Sequence, residues 1–418
     1  MRIALLAVGD ELLLGDIVNA NAAWLGSRLA AAGHIVTAAL VVGDTVGEIE
    51  EAVSASYREV GALVVTGGLG PTQDDLTREG LAAAAGVPLV RDEGLVEVLY
   101  ARYATLGRSF PARNLHQCDL PRGASAIPNP LGSAPGIRLE LPGRVVYALP
   151  GVPHEMEAMV EASVLPDLAA RDPGRGLVVT RTVRTAGMWE SAVAEELADL
   201  DSRLRAGGSA QLAYLAGRGE VRVRITAYAP DAASAAALVE PAEAEIRARL
   251  GAAVYGVDED SLATAVQCLL LARGATVAVA ESLTGGLLGA AITEVAGSSA
   301  VFRGGVIAYA TEVKHSTLGV PADLLARDGA VSPAAAAAMA VGVREQLQAT
   351  YGLAVTGVAG PDPQEDHPPG TVHLALDGPT GGEARSLRLP GDRSRVRSYS
   401  VVAALDLLRR HLERESGP

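Results

Sequence analysis

Two stretches of this 418-residue chain hold residue types at spacings that could do chemistry. In one, Ala280-Glu281-Ser282-Leu283-Thr284-Gly285-Gly286 lies between an apolar run, residues 276–280, and a helical pattern, residues 284–294. That context puts Ser282 on a sharp turn, its hydroxyl exposed and backbone amides beside it ready for a developing oxyanion. A serine nucleophile needs a base. No histidine-aspartate pair stands nearby, but Lys314 follows Tyr309-Ala310-Thr311-Glu312-Val313, just beyond the run 306–310. A lysine in a poorly solvated pocket has a lowered pKa and can take a serine proton. Taken alone, Ser282 reads more simply as a helix N-cap and Lys314 as a solvated surface residue.

In the other stretch, Thr66-Gly67-Gly68-Leu69-Gly70-Pro71-Thr72-Gln73-Asp74-Asp75-Leu76-Thr77 follows the apolar run 62–66 and precedes a helix over residues 78–85. Glycines let backbone amides approach an anion, and the helix end adds partial positive charge, so a phosphate could sit there. The spacing is neither a P-loop nor a dinucleotide fingerprint, and a structural turn explains a bare glycine loop equally well. Acidic residues recur at comparable positions: Asp10 and Glu11 after the run 3–8, Asp44 after 35–42, and Asp74 and Asp75 after 62–66. Carboxylates facing a phosphate need a divalent cation between them, Mg²⁺ or similar, which makes Asp10, Asp44 and Asp75 its expected ligands. As helix N-caps, Asp44 and Asp75 would need no ion.

Strands and helices must alternate to place these loops. Runs at 3–8, 35–42, 62–66 and 144–149 are separated by helical patterns at 22–32, 47–60 and 78–85, and a helix over 154–164 follows, as in a largely parallel α/β sheet. Ligand loops in such sheets follow strand ends. The turn Arg171-Asp172-Pro173-Gly174-Arg175-Gly176 marks a boundary. Beyond it Val221, Val223 and Ile225 alternate with Arg222, Arg224 and Thr226, and a helix covers 232–250, giving a small α+β connector with no site of its own. Alternation resumes after the acidic linker 256–261, with helices at 262–272, 333–350 and 393–410 and strands at 276–280, 306–310, 353–356 and 371–376. Three domains are therefore expected: 1–170, 171–256 and 257–418.

Composition narrows the classes. Net charge is −14 and aromatic residues are 3%, which disfavours direct nucleic-acid contact, whether by basic attraction or by stacking. Two cysteines, Cys118 and Cys268, match neither metal-ligand spacing nor a disulfide framework, so a reducing cytoplasm is expected. No apolar stretch reaches membrane-spanning length. Ala-rich helices and the middle module suit a homodimer.

The motifs together resemble the CinA family. Gly9-Asp10-Glu11-Leu12-Leu13-Leu14-Gly15, the 66–77 loop, Asn129-Pro130-Leu131-Gly132-Ser133-Ala134-Pro135-Gly136 and Leu149-Pro150-Gly151-Val152-Pro153-His154-Glu155-Met156 look like its molybdopterin-binding-like domain. That resemblance implies a three-layer α/β fold and metal-dependent ADP-ribose pyrophosphatase activity. Gly67, Gly68, Gly70, Thr72, Asp74, Gly132 and Gly151 would then hold the nucleotide. Glu281-Ser282 with Thr284-Gly285-Gly286, Gly297-Ser298-Ser299, Tyr309 with Lys314, Ala354-Val355-Thr356-Gly357-Val358-Ala359-Gly360-Pro361 and Gly391-Asp392-Arg393 with Arg397 resemble the nicotinamide-nucleotide amidase domain that ends CinA proteins. The match implies Ser282 as nucleophile and Lys314 as base. Tyr309 and Thr356 would be polar supports, Thr284, Gly285 and Gly286 substrate contacts, and Arg393 the phosphate ligand.

Two departures stand out. Leu283 occupies a position where the family usually has cysteine, and Pro361-Asp362-Pro363-Gln364-Glu365-Asp366-His367-Pro368-Pro369 is more acidic than the usual glycine-rich loop. Arg397 could equally pair with Asp392. The expectation is a hydrolase of pyridine-nucleotide salvage that deamidates nicotinamide mononucleotide (NMN) without a metal and cleaves ADP-ribose with one. The alternative is a non-catalytic pterin- or nucleotide-binding protein acting through partners in competence or DNA-damage response.

Overall fold

The computed structural model describes residues 1–54, 60–105, 110–173, 176–217 and 219–415. The end of the expected helix 47–60, at residues 55–59, and Gly174-Arg175 of the boundary turn lie outside the described residues. The chain forms two compact units, Met1–Val179 with Ala227–Ala236, and Thr180–Thr226 with Ala237–Pro418.

The first unit is built on a six-stranded sheet in the order Ile35–Val42, Arg2–Val8, Ala62–Thr66, Arg144–Leu149, Gly136–Leu141, Ser125–Ile127. The first four strands are parallel, Gly136–Leu141 runs antiparallel to them, and Ser125–Ile127, antiparallel to Gly136–Leu141, runs with the first four again. Ala62–Thr66 is buried throughout, as a strand covered on both faces must be. Leu63, Val65, Ile49 and Leu81 form a core on one face, and Val64, Leu25, Leu29 and Met156 form one on the other. The result is three layers. Parallel pairing aligns Val8 with Val42 and Thr66 with Leu149, so the loops after all four strands emerge at one sheet edge. The helix expected over 154–164 starts at Pro153, passes through a π-turn at Val160–Val164 and continues as Leu165–Arg171.

The middle segment forms a four-stranded sheet, ordered Ala210–Gly217, Glu220–Ala229, Leu177–Ala186, Val254–Val257. Its helices are Glu190–Glu196, Ala198–Ala206 and Ala232–Leu250. Val221, Val223 and Ile225 point inward while Arg222 and Arg224 are exposed.

The carboxy-terminal segment carries a five-stranded sheet, ordered Phe302–Ile307, Val277–Glu281, Tyr351–Gly357, Thr371–Asp377, Glu383–Arg388. Helix Pro333–Gln346 packs its Ala336, Met339 and Ala340 on one face, against Ala278, Ala354 and Ala375. Helices Leu262–Ala272 and Arg393–Arg414 cover the other, with Leu270, Leu405 and Leu408 against Leu353, Val355 and Leu374. Small residues allow the close layer: a Cβ on Gly352 would stand 2.0 Å from the carbonyl oxygen of Ala340. Low aromatic content is thus matched by tight backbone approach.

Some boundaries differ from expectation. The strand placed at 306–310 is Phe302–Ile307, because Gly304 and Gly305 hide an edge strand from a search for apolar runs. The helix placed at 284–294 is Leu287–Thr293, because Gly285 and Gly286 adopt φ of 57° and 96° and prolong the turn. Among the described residues no helix is long and apolar enough to cross a membrane.

Candidate functional site

Ser282 is the first residue after strand Val277–Glu281. Its amide donates to Val355 O at 2.9 Å, and its carbonyl accepts from Gly285 N at 3.1 Å, which fixes the turn. Lys314 sits on the short helix Thr311–Ser316 and is 1% exposed. Its Nζ donates to Ser282 Oγ at 3.1 Å and to Ala308 O at 2.8 Å. Burial pushes the Lys314 pKa below the usual lysine value, against the opposing pull of Glu365 and Glu312. Neither simple alternative holds: Lys314 is not a surface residue, and the helix after Ser282 is capped at Gly286.

The amides beside the nucleophile are distributed differently from expectation. The buried Glu281 carboxylate accepts from Gly286 N and Leu288 N at 3.0 Å and from Gly289 N at 2.8 Å. Glu281 therefore fills the helix N-terminus. The amides of Leu283 and Thr284, directly after Ser282, are the donors left on the turn.

A cavity of about 170 Å³ opens over this pair, with Ser282, Lys314, Tyr309, Thr356 and Arg393 on its wall. Thr284, Gly285 and Gly286 are not on that wall and shape the turn behind it; the buried Thr284 Oγ1 has no hydrogen-bond partner. Thr356 Oγ1 donates to Ala330 O at 2.8 Å, tying two walls together. Arg393 spans the mouth, donating to Gly360 O at 2.8 Å and to the Tyr309 hydroxyl at 3.0 Å. Both terminal nitrogens of its planar guanidinium are engaged, each with one N–H to spare for an anion.

Arg397 does not pair with Asp392. It donates to Leu283 O at 3.0 Å and Thr284 O at 2.7 Å, while Asp392 caps the helix through Arg395 N at 2.9 Å. Leu283 is 4% exposed and packs in the core. The acidic loop does border the site: Asp362 and Gln364 reach the cavity, and Glu365 accepts from Val331 N at 2.9 Å.

At the edge of the six-stranded sheet a larger cavity, about 570 Å³, is lined by Gly67, Gly68, Gly70, Asp74, Asp75, Asp44, Glu11 and Gly151. Thr72, Gly132 and Asp10 do not line it. Gly67 has φ of 100°, and a Cβ there would lie 2.2 Å from Val8 O, so the loop presses on the first strand. Beneath the loop is Arg78, fully buried, donating to Leu69 O and Gly70 O, its pKa lowered to about 10 by burial. A guanidinium under a glycine loop raises the potential an anion meets. Sequence reading missed Arg78; its place in the first turn after the glycine loop was the only signal.

The three carboxylates expected to share a divalent ion do not gather. Asp10 N donates to Asp44 Oδ2 at 2.8 Å and Asp44 N to Asp10 Oδ1 at 3.3 Å, a reciprocal lock between two loops. Burial, with the charges of Asp10, Glu11 and Asp74 behind it, raises the Asp44 pKa against the amide bond from Asp10. Asp75 instead turns onto its own loop, accepting from Gly70 N and Thr72 N at 2.7 Å each and from the Thr72 hydroxyl. Nor is either aspartate a helix N-cap, since Thr45 Oγ1 accepts from Glu48 N and the helix Thr77–Ala85 follows Leu76. Among the described residues no group of three or more His, Cys, Asp or Glu side chains is placed to hold a metal ion. Asp10, Asp44 and Asp75 as arranged do not fit one.

A "CinA-like protein" of Frankia casuarinae is 58% identical over 417 residues, spanning 99% of this chain and 96% of the relative. The chain belongs to the CinA family. A "CinA-like protein" of Parasynechococcus marenigrum is 47% identical over 99% of both chains. Three family models match in turn: a probable molybdopterin binding domain at residues 4–170, the damage-inducible protein CinA KH domain at 180–256 and the CinA C-terminal domain at 259–412. A crystal structure of a CinA protein from Thermoplasma acidophilum is 35% identical, covering 41% of this chain and 96% of its own, with a TM-score of 0.37.

KH domains clamp nucleotides with a GXXG loop between two helices. In this CinA protein the helices Glu190–Glu196 and Ala198–Ala206 meet at Leu197, amid Glu195, Glu196 and Asp199 and without a glycine.

Proposed function

We propose that the carboxy-terminal site of this CinA protein deamidates nicotinamide mononucleotide. Ser282 Oγ attacks the carboxamide carbon as Lys314 takes the hydroxyl proton. The tetrahedral oxyanion faces the amide of Leu283, the residue after the nucleophile that lies on the cavity wall. Collapse breaks the C–N bond, Lys314 returns the proton to nitrogen, and ammonia leaves an acyl-serine. Water, deprotonated by the same amine, releases nicotinate mononucleotide and regenerates Ser282. Arg393 at the mouth suits the ribose-bound phosphate. The observation that carries this reading is the buried 3.1 Å contact between Lys314 Nζ and Ser282 Oγ. Ammonia release from NMN tests it: absence in wild type, or undiminished release from Ser282→Ala, would sink it.

For the amino-terminal cavity we propose an adenosine diphosphate sugar, its pyrophosphate against the Gly67–Gly70 amides above Arg78. Hydrolysis of that pyrophosphate is the corresponding activity, and Asp10, Asp44 and Asp75 as arranged do not cage a metal for it. One observation favours a second reading, binding of a pterin or nucleotide without turnover: the family model matching residues 4–170 is that of a probable molybdopterin binding domain. Release of AMP from ADP-ribose separates the two.

A further inference from the structure

Within the second compact unit lies another cavity, about 220 Å³, none of whose lining residues touches the Ser282 cavity. Met188 and Trp189 wall it from the KH segment, and Leu374, Leu387, Tyr399 and Val402 wall it from the five-stranded sheet and the C-terminal helix. Trp189, one of only two tryptophans in the chain, is 57% exposed there. An indole left so exposed on a cavity wall is stacking surface without a partner. Gly219, with φ of 90°, faces the Tyr399 ring, and a Cβ there would be 3.1 Å from the ring carbon Cδ1.

The polar groups of the wall are already neutralised. Arg385 pairs with Glu383 at 3.0 Å, and Asp406 pairs with Arg409 at 2.6 Å and with Arg410 at 2.8 Å. A charged ligand would lose its hydration here and gain no counter-charge. A flat, uncharged ring system would lose nothing comparable and would cover the indole.

Tyr399 and Val402 stand on the helix Arg393–Arg414. Its first turns carry Arg393 and Arg397, which hold the cavity mouth and the Ser282 turn. Its far end is pinned to the KH segment: Arg409 donates to Ala252 O at 2.6 Å and Arg410 to Ala186 O at 3.1 Å. Whatever presses on Tyr399 acts between an anchored end and the site.

We propose that this cavity binds an uncharged planar aromatic small molecule of one or two rings, and that its occupancy is felt along the C-terminal helix at the Ser282 turn. Binding stands apart from the amidase reading; only an effect on turnover would rest on that.

The test uses the full chain with indole as probe, and indole-3-acetate and tryptamine as charged comparators, followed by saturation-transfer NMR. Indole is expected to bind at least about tenfold more tightly than either analogue, a difference of about 1.4 kcal/mol. Ala403→Phe, which fills the cavity, and Trp189→Ala, at an exposed position, should each abolish that preference. Hydrogen exchange should show indole altering protection at residues 283–289 and 393–399 in wild type and in neither variant. No indole binding, equal binding of the charged analogues, unchanged binding in both variants, or exchange unaffected by indole would overturn the proposal. Failure to release ammonia from NMN would remove the amidase reading and leave these readouts to decide this one.

Discussion

Arg397 holds the carbonyl oxygen of Thr284 at 2.7 Å, from a helix more than a hundred residues further along the chain. A second bond, to Leu283 O at 3.0 Å, makes the contact a two-point grip on the turn that carries the nucleophile. The two carbonyls that Arg397 holds directly follow the Leu283 amide, which lies on the cavity wall beside Ser282. Fixing those carbonyls therefore aims an oxyanion donor without touching substrate.

Arg397→Ala should accordingly lower kcat for NMN by about tenfold to a hundredfold with little change in KM, the signature of a loss felt in the transition state. Arg397→Lys, which cannot make the two-point contact, should fall in between. A rise in KM at constant kcat would mean that Arg397 binds substrate instead.

Lys314 must be neutral to take the serine proton, and burial sets its pKa below the ordinary lysine value of 10.5. Activity is carried by the deprotonated amine, so it is full above that lowered pKa and falls as pH drops through it. The kcat/KM profile for NMN should show an acid limb of unit slope with an apparent pKa below 10.5. Lys314→Arg, protonated throughout, should lose at least about a hundredfold. Retention of more than about a tenth of wild-type activity would exclude Lys314 as the base.

Glu281 accepts three backbone amides at the start of helix Leu287–Thr293 from a buried position. Glu281→Gln keeps the shape and removes the charge, leaving an amide nitrogen where a carboxylate oxygen accepted. Opening of this helix should become easier by about 1 to 3 kcal/mol. Hydrogen exchange at residues 286–293 should speed up by a corresponding factor of roughly ten to a hundred. Unchanged exchange there would show the cap to be dispensable.

The sequence was most legible where one strand or helix explains its own residues. Ile35–Val42, Ala62–Thr66, Arg144–Leu149, Leu262–Ala272 and Ala232–Leu250 stand where periodicity placed them. Ser282, Lys314, Tyr309, Thr356 and Arg393 meet at one cavity because the motifs that hold them end neighbouring strands or begin helices beside them. Tertiary contacts decided what periodicity could not. Two glycines concealed the edge strand Phe302–Ile307. Arg78 and Glu281 act from buried positions that a charged residue in a sequence does not advertise. Asp75 matched an ion ligand by position along the sheet edge, but position does not say which way a carboxylate turns.

That orientation yields the sharpest test of the amino-terminal domain. Asp75 accepts from Gly70 N, Thr72 N and the Thr72 hydroxyl, so it shapes the loop that lines the larger cavity. Removing it frees donors that must otherwise find water, at about 1 kcal/mol or more in loop order. Asp75→Ala should therefore weaken ADP-ribose binding by about tenfold, measured by calorimetry, and by the same factor in EDTA and in excess Mg²⁺. A metal ligand would behave otherwise. Its loss would matter in Mg²⁺ and vanish in EDTA, where the ion is already gone. An effect confined to Mg²⁺ would reject the loop-cap role drawn from the geometry and restore Asp75 as a ligand. Thr72→Val removes the hydroxyl donor and leaves every carboxylate in place. It should reproduce part of the Asp75→Ala loss, again independently of Mg²⁺.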